Sequence, residues 1–157
     1  MSAPADIPVW LLRMLQALGI AWAVPYTALG LVAGAASVAM GGHMHLSRRD
    51  FAIVFHKVPW GPGGALTLGN VILHTGDTLD SSCVTYAHRA RHREEPTIMI
   101  GDHERAHVFQ YMVLGPLFLP IYLLCGGVSV RNPFERAADR YALTGRGWWP
   151  GGEAAKR

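Results

Sequence analysis

A chain of 157 residues with a net charge of +3 has the length of one domain. Half of it is hydrophobic and 16% is charged, against about 25% in an average soluble domain, so part of it belongs in lipid or in an unusually apolar core. The arginines that gather at 89, 91 and 93 and again at 131, 136, 140 and 146 form no aromatic-basic nucleic-acid motif and read as solvated or lipid-headgroup-facing charges, which argues against nucleic acid as a partner. Cys83 and Cys125 lack CxxC spacing, which argues against a disulfide framework.

Residues 9–41 carry one charge, Arg13, and exceed the ~20 residues that cross a bilayer. Pro25 lies in the middle, so the run is either one kinked helix or two helices folding back on each other. One membrane span is expected, the remainder being interfacial or packed. Trp10, Trp22 and Tyr26 suit a membrane interface. Gly30 and Gly34 have GxxxG spacing, which permits helix-mediated homo-oligomers, although chance in a Gly/Ala-rich run explains it as well. Arg48, Arg49 and Lys57 follow the run. Positive-inside bias therefore puts the C-terminal part in the cytoplasm, with membrane lipid as a partner and the inner membrane as the location if the source is bacterial. His43 and His45 would mark the headgroup region.

Residues 51–58 and 65–74 read as two strands of a hairpin joined by the turn 60–64. His56 and His74 would then lie at the surface or a sheet edge. Residues 76–96 read as a loop with at most one helical turn, and 97–100 as a short strand. His88 and His92 have i, i+4 spacing with little else nearby to complete a site. Asp102 is placed to cap a helix over 103–114. The apolar segment 116–130, broken by prolines and glycines, reads as a buried or half-embedded helix, with a true span as the alternative. Asn132-Pro133 opens a last helix that ends near Leu143. The fold class is thus α+β, with a membrane-anchoring segment over 1–45, a metal-binding domain over 46–147 and a frayed tail over 148–157.

The chemistry concentrates at His103-Glu104-Arg105-Ala106-His107. On a helix, residues i and i+4 share a face, so His103 and His107 can reach one ion at ~2.0–2.1 Å, the Zn–N distance. Glu104 borders the same site and can take a proton from a water without being a ligand. A catalytic zinc needs a third protein ligand, and Glu135, on the next helix, is the best candidate. Its alternative role is N3 of a capping box begun by Asn132. Asp139, four residues further on, can fix the tautomer of a ligand imidazole or pair with Arg136 or Arg140. Tyr111 and Tyr141 can donate to a developing oxyanion, or simply pack.

Together, His103-Glu104-x-x-His107 with Glu135 and Asp139 resembles the gluzincin-type zinc metallopeptidases. The run HERAHVFQY, then GPLFLPIY, then NPFE, over roughly residues 65–145, looks more closely like a small group of bacterial membrane-associated proteins with the same motifs. The resemblance implies a zincin-like core: a small sheet whose edge strand, here 65–74, aligns a peptide or protein substrate, an active-site helix, and a second helix carrying the glutamate. The function expected is a membrane-associated zinc-dependent metallopeptidase. The alternative is a non-catalytic metal-binding or scaffold protein with a degenerate zincin fold.

Overall fold

The computed structural model describes residues 7–61, 63–92 and 94–151. The N-terminal apolar run forms two helices, α1 (Val9–Trp22) and α2 (Val24–Ala39), bent by 64° at a break around Ala23. Pro25 sits in the first turn of α2, where its missing N–H costs nothing. The chain then enters a sheet of β1 (His43–Ser47), β2 (Ala52–His56), β3 (Ala65–Leu68) and β4 (Val71–His74). The strand order is β1-β2-β4-β3, with β2 and β4 parallel and the other pairs antiparallel.

This departs from the expected hairpin. The stretch 65–74 is two strands, because the Gly69-Asn70 loop turns the chain at Leu68↔Val71. Gly69 has φ +61°, which the first position of a two-residue hairpin loop requires and a side chain resists. The turn is tied down by Asn70, whose N–H donates to Thr27 Oγ1 and whose side chain donates to the Phe51 carbonyl. The loop 57–64 carries the chain past one strand position, so β4 returns between β2 and β3.

Strand alternation divides the sheet into two faces. Phe55, Val71 and Leu73 face one side, with Val58. Ala52, Val54 and Ile72 face the other and pack on Leu79 and on α4 (Ile100–Leu114) through Ile100 and Val108. Because both faces are covered, β4 is buried along its whole length. The helix covering the first face is α2. A Cβ on Gly30 would lie 2.7 Å from Val71 Cβ, and one on Gly34 would overlap the Phe55 ring. The GxxxG face is therefore occupied by the chain's own sheet and is not free for a second copy. Likewise α1 packs against α4, where Gly19 meets Met112. Helices α1 and α2 thus pack as one layer against α4 and the sheet.

The polar stretch after β4 contains β5 (Ser82–Cys83), paired with β6 (Ile98–Met99), and the single-turn helix α3 (Tyr86–Arg89). Helix α4 starts earlier than its polar residues suggest, and Asp102 does not cap it. The first-turn N–H groups of Ile100 and Gly101 donate instead to the carbonyls of Ser81 and Leu79, so no side-chain cap is needed. Asp102 pairs with Arg49 and Arg105. Beyond α4, one 3-10 turn leads into α5 (Phe118–Leu124), and Ile100–Leu124 together are long and apolar enough to cross a membrane. The last helix is α6 (Pro133–Thr144). Asn132 caps it by accepting from the Phe134 N–H, and Gly145 ends it in the left-handed region at φ +71°. The expected frayed tail is docked as far as it is described. Trp148 packs on Phe109 and Trp149 on Phe134, while the Trp148 carbonyl accepts from Gln110.

Candidate metal centre

Helix α4 presents His103 and His107 on one face, and α6 presents Glu135 to the same point. His103 Nε2, His107 Nε2 and Glu135 Oε2 form a triangle with edges of 3.1, 3.2 and 3.4 Å. Two ligands on a tetrahedral zinc, each at ~2.0–2.1 Å, stand roughly 3.3–3.4 Å apart, so the triangle fits one small divalent ion. All three residues are buried, and among the described residues theirs is the one group whose ligand atoms converge in this way. A cluster of this composition and spacing could hold a metal ion.

The surrounding bonds fix how these side chains point. The capping-box role of Glu135 is not realised, because the Asn132 N–H bonds to the Ser129 carbonyl instead. The Glu135 carboxylate turns inward. Its Oε1 accepts from the Tyr122 hydroxyl, leaving Oε2 for the imidazoles. Burial pushes this carboxyl up, but His107 and His103 beside it outweigh burial and hold it well below the usual carboxylate range. It is an anion at neutral pH.

Each histidine has a partner for its other nitrogen. His107 Nδ1 lies 2.8 Å from Gln110 Oε1; because that oxygen can only accept, His107 donates from Nδ1 and keeps Nε2 free as a ligand atom. The Gln110 amide donates to the carbonyls of Phe134 and Trp148, so its orientation is set from both sides. His103 Nδ1 lies 3.0 Å from Asp139 Oδ1, at ion-pair distance but off the hydrogen-bond axis; both atoms are buried with no hydrogen-bond partner. Asp139 is held through its other oxygen, which accepts from the Tyr86 N–H at 2.7 Å. Arg140 instead bonds the carbonyls of Gly147 and Trp149.

Glu104 stands outside the triangle. Its Oε2 accepts from Thr67 Oγ1 on β3 at 2.7 Å, which fixes the carboxylate between the sheet edge and the histidines. There a cleft of about 390 Å³ opens, lined by Gly64 and Ala65 on one side, Tyr86 and Arg89 on another, and His103, Glu104 and Asp139 at its base. Burial, followed by Glu135, raises the Tyr86 phenol above its ordinary range. Burial also raises the Cys83 thiol, so at neutral pH it lines the cleft as a neutral group.

Tyr111 and Tyr141 are placed elsewhere. Tyr111 is buried among Tyr26 and Phe118, and Tyr141 packs edge-on against Phe109, so neither faces the cleft. The aromatic hydroxyl at the centre belongs to Tyr122, and the ring beside His103 belongs to Tyr86. Gln110 was missed by the sequence reading, although its i+3 offset to His107 on one helix is a signal that could have found it. Thr67, Tyr86 and Tyr122 reach the site through long-range packing, and no local spacing marks them. His88 and His92 do not join it; His88 Nδ1 contacts the backbone of Glu95. Comparison of the chain with protein-family models, with curated proteins and with solved structures finds no match.

Proposed function

We propose that this protein is a membrane-attached, zinc-dependent metallopeptidase with a zincin-like core, holding zinc through His103, His107 and Glu135. The observation that carries the reading is the division of the acidic groups. Glu135 points its free oxygen into the histidine triangle, whereas Glu104 is held back by Thr67 at the base of an open cleft. A purely structural site has no need of a second carboxylate placed beside, and not on, the ion. Zinc, when bound, supplies a Lewis acid and brings the pKa of a bound water to about 7. Glu104 serves as general base toward water and then returns the proton to the leaving amine. Gln110 and Asp139 orient the two imidazoles. Tyr86, which lines the cleft beside His103, replaces Tyr111 and Tyr141 as the hydroxyl donor for the reacting group, while Tyr122 holds the Glu135 carboxylate.

The outer surface of α1 and α2 supports a lipid environment. Trp10, Leu15, Leu18, Leu29 and Val32 are all exposed there, and Leu117 and Leu124 extend the apolar surface near α5. An exposed patch of this extent suits lipid better than water. We place the protein in a bacterial inner membrane with its metal centre on the cytoplasmic side, as the flanking arginines indicate.

The test is Glu104→Gln in detergent-purified protein. Zinc content should stay near one per chain at this centre, while cleavage of a casein or peptide-library substrate falls by two orders of magnitude or more. If Glu104→Gln loses metal as completely as His103→Ala, the assignment of Glu104 as base is wrong. Failure of the wild-type protein to hold any metal after chelator-free purification would end the reading altogether.

A further inference from the structure

Four of the eight histidines lie outside the metal centre on a different part of the sheet. Register brings them together from positions up to 31 residues apart. His43 on β1 pairs directly with His56 on β2, and His45 lies two residues along the same face. His74 follows the last parallel pair of β4 with β2, beside His56. The His43 and His45 rings lie 5.0 and 5.2 Å from the His56 ring, centre to centre, and the His74 ring lies 5.5 Å away.

Two of the four are preset. His56 and His74 are 3% and 4% exposed, against the surface position their strands suggested. Their Nδ1 atoms face each other at 3.3 Å. That separation matches the edge between two nitrogen ligands on one zinc. Without an ion it is a contact between two rings of which at most one can donate while both stay neutral. His43 and His45 are exposed on an edge strand, and both rings stack on that of His56.

We propose that His56 and His74, completed by His43 and His45, form a second metal site for a late first-row divalent ion such as zinc, with nitrogen ligands alone. Imidazole-only coordination suits zinc, copper and nickel and excludes calcium and magnesium. The site shares no ligand with the His103 centre. The shell of His43 and His45 is open to solvent, as a site that takes up and exchanges ions requires.

The experiment uses the full-length protein in detergent, stripped with chelator, equilibrated with zinc sulfate and freed of excess ion. Zinc per chain is compared between wild type and His43→Gln/His45→Gln, a pair exposed enough to leave the core intact. The expected result is two ions in wild type and one in the variant. Glu135→Gln should lose the other ion and keep this one, so failure of the first centre is told apart from failure of the second. Equal zinc in wild type and in His43→Gln/His45→Gln overturns the proposal. A second measurement needs no variant: carbethoxylation of His43 and His45 in wild type, read by peptide mass spectrometry, should fall several-fold when zinc is added to the stripped protein. Unchanged modification also overturns it.

Discussion

Glu135 and Asp139 stand four residues apart on α6 and divide a single imidazole between them. Glu135 Oε2 lies 3.1 Å from His103 Nε2, and Asp139 Oδ1 lies 3.0 Å from Nδ1 of the same ring. A ligand and an orienting group respond differently to substitution. Glu135→Gln replaces an anionic oxygen with a neutral amide, so zinc occupancy should fall steeply when measured by elemental analysis. Gln110→Ala removes only the acceptor that sets the His107 tautomer, and zinc affinity measured by chelator competition should fall by about 10–100-fold. Asn132→Ala is the contrasting control. Asn132 caps α6 and also donates to the carbonyls of Tyr122 and Gly127, so the loss should approach about 2 kcal/mol in a denaturant titration. Its zinc stoichiometry should not change. Zinc retained in full by Glu135→Gln would move the third ligand to another residue.

At the scale of elements, what the sequence revealed follows the range of the forces involved. Helix α6 was legible because its boundaries are local: Asn132 caps, Pro133 fits the first turn, and Gly145 adopts the left-handed conformation. The metal-binding face of α4 was legible because helical periodicity alone puts His103 beside His107. Strand order was not legible. Strands of four and five residues choose neighbours by tertiary packing, and nothing within 65–74 states that β4 will sit between β2 and β3. The burial of His56 and His74 was hidden for the same reason. The GxxxG spacing was visible but its partner was not, since two glycines mark a close approach without saying to what. That partner is the sheet, and this gives a test. Gly34→Leu forces a branched side chain into the Phe55 ring and should destabilise the protein by about 1–3 kcal/mol, read as a lower thermal midpoint. Leu31→Ala on the exposed side of the same helix should cost far less. If Gly34→Leu instead changed only the oligomeric state and left the midpoint alone, α2 would be contacting another copy.

For the molecule as a whole, α1 and α2 have two jobs that a simple anchor would not combine. Their outer surface is apolar and exposed, while their inner surface completes the core through Gly19, Gly30 and Gly34. A chain beginning near His45 therefore loses more than attachment. It uncovers Phe55, Val71 and Leu73, each of which contributes roughly 1.5–3 kcal/mol when fully buried. Such a chain should aggregate and lose its metal rather than behave as a soluble domain. The two jobs separate by choosing substitutions on the outer surface alone. Leu15→Ser, Leu18→Ser and Val32→Ser together remove apolar contact with lipid at three positions that are each at least half exposed. Wild-type protein should stay with the membrane fraction after alkaline carbonate and high-salt washes, because burial of apolar surface does not depend on ionic strength. The triple variant should shift toward the supernatant and keep its zinc. Wild type recovered in the soluble fraction without detergent would mean that this apolar surface meets something other than lipid.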